Sequence, residues 1–268
     1  MFLEVDDTSI YYEISGTGQP IVFIHAGVAD SRQWNNEFEY FALDNHVIRY
    51  DLRGFGKSKP TDSNYNDLHD LTMLLDHLNL DQPMIMIGCS MGGGLALDYA
   101  IENPNRVAAL ILVCSAPSDL RLDIPAPEKF KLVAAAEKAG DLDLVAELET
   151  QIWFDGGRDT NTVDQDMRRL AYDMNRLALS LDETSSGERL PNREGGSVGR
   201  LKELTIPIMA IIGAYDIPYM HAAFDFMVKA QPDLQAVTIG DAAHLPNMDQ
   251  PLEFRRVVSE FIQDIRVG

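Results

Sequence analysis

A serine flanked by glycines is the first pattern in this sequence that indicates catalysis. Residues 88–92 read Gly-Cys-Ser-Met-Gly, between an apolar run of strand length and a helical pattern over Met91–Ile101. A sharp strand-to-helix turn would expose the Ser90 hydroxyl at a sheet edge and set the next N–H at a helix N-terminus, which suits an anion. Alone the pattern is weak, because a chain of this composition contains it by chance about one time in ten.

A serine hydroxyl becomes an effective nucleophile only when a neighbouring base takes its proton. We predict His244 as this base, since DAAHLPNMDQP lies between the last predicted strand and the C-terminal helix and returns over the sheet edge. His25 also ends a predicted strand, but we expect it to brace its loop. The other histidines lie at the opposite edge or on helical patterns: His46, His69, His77 and His221.

The base in turn requires a carboxylate that holds its tautomer and stabilises the imidazolium. Asp216 follows the strand-like run TIPIMAIIG at the same sheet edge, and we favour it. Asp119, which follows VAALILVC, is the alternative. The predicted catalytic order along the chain is therefore Ser90, Asp216, His244.

Apolar runs that alternate with helical patterns must position these residues. Several runs are apolar nearly throughout, as in strands of a parallel sheet covered on both faces. The strands are predicted at Phe2–Val5, Ser9–Ile14, Pro20–His25, His46–Tyr50, Pro83–Cys89, Val107–Cys114, Thr205–Gly213 and Leu234–Ile239. The first two suggest a hairpin, and Ser31 is expected to cap the helix after the third. The alternation predicts an α/β fold with a mostly parallel, doubly wound sheet of eight strands.

The alternation breaks between residues 118 and 200. Helical patterns without strands are predicted there at Glu128–Ala139, Leu142–Trp153 and Val163–Leu181. We interpret residues 118–200 as a helical cap inserted into a core formed by residues 1–117 and 201–268. Such a cap would cover the carboxyl edge of the sheet, where ligands of open α/β sheets bind.

Composition excludes several classes of function. With 42 acidic and 22 basic residues the formal charge is −20, which disfavours nucleic acids and anionic membranes as partners. No apolar run reaches the roughly 18 residues that a membrane span needs, and the N-terminus reads as strand rather than as a signal peptide. We therefore expect a cytoplasmic protein with Cys89 and Cys114 reduced. No metal-binding or nucleotide-binding motif is present, so no metal or cofactor is predicted.

Taken together, IHAG, YDLRGFGKS, GCSMGG, GAYD and AAHLPNMDQP resemble the motifs of the α/β-hydrolase fold superfamily. The resemblance covers nearly all of the chain outside the cap and implies the Ser90, Asp216, His244 triad, whose order is known for this fold. Two departures, Ala26 after His25 and Ala243 before His244, remove no reacting group. The resemblance also implies an oxyanion hole formed by the N–H groups of Met91 and Gly27, with Ala26 as the alternative to Gly27.

The resemblance further implies a serine hydrolase for small carboxylic esters or lactones. A carbon–carbon bond hydrolase, a cofactor-free perhydrolase and a ligand receptor of the same fold are the alternatives. Trp153 and Phe154, at a predicted helix end in the cap, are candidates for substrate binding, although they could equally attach the cap to the core. Further cap candidates, to which no role is assigned, are Tyr172, Met174, Arg158, Arg168, Arg169 and Arg176. In YDLRG, a local ion pair between Asp51 and Arg53 is expected to set the turn.

Overall fold

The structure, a computed structural model, describes residues 1–80 and 82–267. The strands are β1 (Phe2–Val5), β2 (Thr8–Ser15), β3 (Gln19–Ile24), β4 (Asn45–Tyr50), β5 (Met84–Cys89), β6 (Val107–Val113), β7 (Ile208–Gly213) and β8 (Gln235–Ile239). The α-helices are α1 (Asn35–Phe41), α2 (Asp67–Leu78), α3 (Met91–Glu102), α4 (Lys129–Ala139), α5 (Leu142–Trp153), α6 (Gln165–Asp182), α7 (Pro218–Ala230), α8 (Pro246–Asp249) and α9 (Pro251–Val267). All eight predicted strands are present. The largest displacement is at β7, which begins at Ile208 rather than Thr205.

The strands form one sheet in the order β1-β2-β4-β3-β5-β6-β7-β8. The pairs β1–β2 and β2–β4 are antiparallel and all other pairs are parallel, so the predicted mostly parallel sheet with an N-terminal hairpin is confirmed. Along β5, Ile85 and Ile87 pack into one apolar layer while Met84 and Met86 pack into the other. Burial on both faces explains why the central strands are apolar throughout.

Between β6 and β7 the chain is helical. Residues 114–207, all of which the structure describes, contain α4, α5 and α6 and add no strand to the sheet. These helices share a small apolar cluster that includes Val133, Val145 and Ile152. Helix α6 begins at Gln165 because the Asp164 carboxylate accepts the N–H groups of the first turn.

After α6 the chain returns to the core along the segment 186–191. Tyr65 and Arg189 form an isolated parallel bridge, in which Tyr65 N–H donates to the Glu188 carbonyl at 3.0 Å and Leu190 N–H donates to the Tyr65 carbonyl at 2.8 Å. The N–H of Gly187 also donates to the Thr61 carbonyl. The return segment is therefore attached to the core loop 61–66 through backbone hydrogen bonds.

Two local predictions are wrong. Asp30, not Ser31, caps the turn before α1, because its carboxylate accepts the Arg32 N–H at 3.0 Å, whereas the Ser31 N–H donates to Asp51. Asp51 also accepts the backbone N–H of residue 57, so its carboxylate is used by loop N–H groups and not by Arg53. Arg53 instead extends to α2 and pairs with Asp70.

Over residues 1–80 and 82–267, no helix combines the length and apolar character that crossing a membrane requires.

Candidate active site

Ser90 lies at the turn between β5 and α3, with φ +52° and ψ −115°. Residues other than glycine rarely adopt this backbone conformation. The Ser90 N–H donates to the Val113 carbonyl at 2.8 Å, and its carbonyl accepts two N–H groups of the first turn of α3. A Cβ at Gly88 would overlap the backbone of Gly92, and one at Gly92 would overlap the end of β3. Both glycines are therefore sterically required for this turn.

His244 and Asp216 form a buried pair. The Nδ1 of His244 lies 2.8 Å from Asp216 Oδ2, while Asp216 Oδ1 accepts the Ile217 N–H at 2.7 Å. With the proton on Nδ1, assigned from this hydrogen bond, Nε2 is the free basic nitrogen. Asp119, the alternative acid, is exposed and has no contact with His244 among the described residues. The geometry thus joins His244 to Asp216.

The His244 loop lies over the end of β5. The Sγ of Cys89, the residue before Ser90, is 3.5 Å from the His244 carbonyl oxygen. The side chains of Cys114, Asp216 and His244 have potential ligand atoms within 4.8 Å of one another, which raises the question of a metal site. However, His244 Nδ1 and Asp216 Oδ2 bond each other at 2.8 Å, and Asp216 Oδ1 accepts the Ile217 N–H, so these atoms are already used. We interpret the position of Cys114 as packing beside the Asp216 carboxylate rather than as a metal ligand.

The loop after β3 offers two candidate oxyanion donors. The Ala26 N–H donates to Gln33 Oε1 at 2.9 Å and is therefore already used. The N–H groups of Gly27 and Met91 have no protein acceptor among the described residues. A Cβ at Gly27 would contact the Met91 side chain, so the two donors are neighbours. This geometry favours Gly27 over Ala26.

His25 has both ring nitrogens engaged. Its Nδ1 lies 2.8 Å from the Ala26 carbonyl, and its Nε2 accepts the Leu52 N–H at 2.9 Å. Burial lowers the pKa of the imidazole, which keeps it neutral. His25 therefore braces the oxyanion loop against the end of β4 and has no free nitrogen for a substrate.

A cavity of about 310 Å³ opens beside the oxyanion loop. Gly27 and Val28 form part of its core wall, together with Arg53 and Phe55. Its other wall comes from α5, α6 and the segment that follows α6: Glu149, Asn175, Ala178, Leu179, Asp182, Ser185, Gly187 and Arg189. None of these cap residues was singled out from the sequence, because a surface helix in a strongly acidic chain shows many charged side chains and only packing selects those that face inward.

The model of the alpha/beta hydrolase fold family matches residues 19–251. The chain belongs to the α/β-hydrolase family. Individual members of the family are similar to this chain at low sequence identity. A pimeloyl-[acyl-carrier protein] methyl ester esterase of Nitrosospira multiformis is 25% identical over 255 residues, covering 92% of this chain and 95% of the relative.

Two further relatives show the range of the family. A 2-hydroxy-6-oxononadienedioate/2-hydroxy-6-oxononatrienedioate hydrolase of Dechloromonas aromatica is 26% identical over 266 residues, covering 96% of this chain and 91% of that protein. The solved structure of a thermophilic esterase from Thermogutta terrifontis has a TM-score of 0.72 and 25% identity, and the match covers 96% of this chain and 94% of that one. An α/β-hydrolase with these relatives is a hydrolase whose substrate must be argued from its own site.

In this α/β-hydrolase, a buried amide relay connects the oxyanion loop to the His244 loop. Gln33 holds the Ala26 N–H through Oε1 and donates from Nε2 to Asn247 Oδ1 at 3.2 Å. The Asn247 Nδ2 donates to the Gln33 carbonyl at 2.8 Å and to Glu37 Oε2 at 3.1 Å. All three side chains are buried, and burial raises the pKa of Glu37 to about 7. No sequence pattern predicts this relay, since Gln33 and Asn247 are 214 residues apart.

The cap aromatics touch the core rather than the larger cavity. The Trp153 ring centroid lies 4.4 Å from that of His244, and the Trp153 carbonyl accepts the His244 N–H at 3.0 Å. Phe154 is 1% exposed and packs in the apolar core, so its predicted contact with substrate is replaced by a packing role. Met174 is buried in the same cluster. The C-terminal end of α5 is thus attached to the His244 loop.

The cap arginines singled out from the sequence are mostly paired with acids. Arg158 bonds Asp249, whose carboxylate also accepts the Ala243 N–H beside His244. Arg168 bonds Asp155 in the cap and a second acid on α5. Arg176 bonds an exposed acid at the start of α5. Arg158 therefore supports the histidine loop, and these side chains serve structure rather than substrate recognition.

Proposed function

We propose that this α/β-hydrolase is a serine hydrolase that cleaves small carboxylic esters or lactones through an acyl-enzyme on Ser90. The observation that carries the proposal is the 2.8 Å pair of His244 Nδ1 and Asp216 Oδ2, on a loop in contact with the residue before Ser90. A histidine held by a carboxylate beside a strained serine is the arrangement that activates a hydroxyl for acyl transfer.

In the first half-reaction, His244 Nε2 takes the Ser90 hydroxyl proton while Oγ bonds to the substrate carbonyl carbon. The carbonyl oxygen becomes an oxyanion that accepts the N–H groups of Met91 and Gly27, each worth roughly 3–4 kcal/mol in the transition state. The imidazolium is stabilised by Asp216. The bond from the carbonyl carbon to the alkoxy oxygen then breaks, and that oxygen leaves with the proton from His244.

In the second half-reaction, His244 takes a proton from water while the water oxygen bonds to the acyl carbon. The same oxyanion donors hold the second tetrahedral intermediate. Its collapse breaks the bond to Ser90 Oγ, which recovers its proton from His244, and the carboxylic acid is released. In a lactone the leaving alcohol stays attached to the acid, so the same residues perform ring opening.

We assign residues 1–117 and 201–268 to the catalytic core and residues 118–200 to the cap. The helical character of α4, α5 and α6 and the cavity between core and cap support this division. The cap then sets which substrates reach Ser90, while the core performs the chemistry.

The names of the relatives are consistent with cleavage of more than one type of bond. The Nitrosospira multiformis relative is by name a methyl ester esterase, which favours ester cleavage. The Dechloromonas aromatica relative is by name a hydrolase of oxo-dienedioates, and it keeps a carbon–carbon bond hydrolase as the second candidate. Both reactions use a serine and a histidine base, so the residues above serve either one.

The test is hydrolysis of p-nitrophenyl esters from acetate to octanoate by the wild type and Ser90→Ala, with Ser185→Ala as the matched control from the cavity wall. A fluorophosphonate probe and intact-mass measurement identify the labelled residue. We expect turnover and labelling in the wild type and Ser185→Ala, and neither in Ser90→Ala.

Labelling of Ser90 without ester turnover would overturn the ester proposal and favour the carbon–carbon bond hydrolase or a perhydrolase. Neither labelling nor turnover in a folded protein would overturn the serine mechanism itself and favour a ligand receptor. Circular dichroism establishes that each variant is folded.

A further inference from the structure

Two arginines line the cavity, and they differ in how far their N–H groups are already used. Arg53 donates from Nε and Nη2 to the two oxygens of Asp70, both at 2.8 Å, and from Nη1 to Asp7 at 3.1 Å. The side chains of Arg53 and Asp70 are each 2% exposed. A bidentate buried pair of this kind is a scaffold contact.

Arg189 donates fewer hydrogen bonds to strong protein acceptors than Arg53 does. Its Nε lies 3.2 Å from Asp67 Oδ2, its guanidinium also interacts with the Tyr65 hydroxyl, and its Nη1 points at the sulfur of Met91 at 2.8 Å. A thioether is a weak acceptor, so this N–H keeps most of its hydrogen-bonding capacity. The side chain is 34% exposed, and it reaches the cavity, where a ligand has access to it. A guanidinium with unused N–H groups at a cavity wall favours an anionic ligand.

The position of Arg189 is set in advance of binding. The backbone bridge to Tyr65 fixes its main chain, and its guanidinium lies 5.4 Å from the Phe55 ring centroid and 5.8 Å from that of Tyr65. Little conformational freedom remains to be lost when a ligand binds, which favours affinity.

Arg189 also lies next to the reacting groups. Met91 directly follows Ser90, and its sulfur is 3.5 Å from where a Cβ on Gly27 would stand. The guanidinium is therefore separated from the oxyanion donors by one thioether side chain. A short carbon chain therefore suffices to place a carboxylate at Arg189 and a carbonyl near the candidate oxyanion donors.

Two acids on the opposite wall bear on the charge of the ligand. Glu149 accepts the Asn175 amide at 2.8 Å, and burial raises the pKa of its carboxyl, which favours the neutral form. Asp182 is exposed, so solvent screens its charge. Asp67, the partner of Arg189, also has a pKa raised by burial. These features lessen the repulsion that an anion would meet in the cavity.

We infer that the substrate carries a carboxylate in addition to its scissile ester, and that Arg189 binds this carboxylate. The substrate class is then a half-ester of a short dicarboxylic acid, or a lactone with a carboxylate side chain. The inference rests on the proposed function and adds its substrate class. Arg189 acts here as a specificity-determining residue and takes no part in bond cleavage.

The experiment compares monomethyl esters of succinate, glutarate and adipate with the corresponding dimethyl esters. Methanol release gives kcat/KM for each, and the measured quantity is the ratio of half-ester to diester. Wild type, Arg189→Gln, Arg189→Lys and the control Arg193→Gln are compared, since Arg193 lies four residues after Arg189 but bonds Glu102 and does not line the cavity.

We expect the ratio to fall at least tenfold in Arg189→Gln, mainly through KM, and less in Arg189→Lys, which keeps the charge but not the planar fork. Arg193→Gln should leave the ratio unchanged. A ratio that stays within twofold in Arg189→Gln, while Ser90→Ala abolishes diester turnover, overturns the carboxylate inference and leaves the proposed function intact.

If the wild type hydrolyses none of these esters, binding of glutarate to Ser90→Ala protein is measured by calorimetry. Binding that is lost in Ser90→Ala/Arg189→Gln supports the carboxylate site even though the ester proposal has failed. No binding, or equal binding by both proteins, overturns the inference.

Discussion

The two walls of the cavity differ in how their polar groups are partnered. On the core wall, Arg53 is fully paired with Asp70 and Asp7, and the Ala26 N–H next to Gly27 is held by Gln33 in the buried network of the core. On the cap wall, Arg189 keeps unused N–H groups. A satisfied, buried network is rigid, which suits groups that must hold a transition state.

The difference indicates a division of tasks between chemistry and selection. The buried core can hold the candidate oxyanion donors and His244 in one geometry, because moving any member of the network leaves a buried polar group unpaired. The cap wall can change its side chains at small cost to the chemistry. Substitutions in the buried core network, and at Trp153 where its ring touches His244, should therefore act on kcat or on stability, whereas substitutions of Arg189 should act on KM.

The largest effect on kcat is expected for Asp216→Asn in the buried core network. The amide cannot stabilise the imidazolium and favours the wrong tautomer of His244, so kcat should fall by roughly 10⁴-fold, as replacing this acid does in a serine protease. Ester hydrolysis under saturating substrate measures it. Asp119→Asn is the control, and a comparable loss there would show that the acid is misassigned.

Gln33→Leu should lower kcat by between about 10- and 100-fold with KM nearly unchanged. The change releases the Ala26 N–H and the Asn247 amide together, so the oxyanion loop shifts relative to His244, and small misplacements are costly. Gln33→Glu keeps an acceptor for Ala26 and should lose less. Equal losses of kcat in both variants would mean that the bond to Ala26 does not position the loop.

Glu37 should make the free energy of unfolding of the protein depend on pH. Its pKa of about 7 in the folded protein exceeds the ordinary 4.5, so the folded state binds more protons between these values. Stability is then fully present at low pH and is lost as the pH rises through about 7.

Glu37→Gln removes this dependence, and its stability relative to wild type should increase by about 2 kcal/mol between pH 5 and 8.5. Urea unfolding at both pH values measures the difference, with exposed Glu39→Gln as the control. A difference that does not change with pH would place the pKa of Glu37 near its ordinary value.

The smallest effect is expected for Trp153, a cap residue that touches the core wall. Trp153→Leu removes the ring 4.4 Å from His244 and should lower kcat by roughly threefold to tenfold, the worth of one aromatic contact. Trp153→Phe should restore most of it. A change confined to KM would instead make Trp153 a substrate contact, as the sequence analysis predicted.

How much could be predicted from the sequence also differs between the strand ends of the core and the helices between β6 and β7. The strand ends near Ser90, Asp216 and His244 were predictable because apolar runs mark buried strands, and parallel strands bring their carboxyl ends to one edge. The cap helices were predictable as helices, and α5 has the predicted bounds Leu142–Trp153. Which of their side chains face inward was not: Phe154, considered for substrate contact or for attachment to the core, packs in the apolar core.

The sequence by itself determined the eight-stranded α/β fold, the elbow at Ser90 and the order of the candidate catalytic residues. These depend on local patterns: apolar runs, glycines that permit a tight turn, and the polar residues that follow each strand. Only the tertiary structure decided that Gln33 and Asn247 join the oxyanion loop to the histidine loop, that Arg53 is fully paired and that Arg189 is not. Such pairings depend on packing between distant segments, and no local pattern in the chain encodes which polar groups meet there.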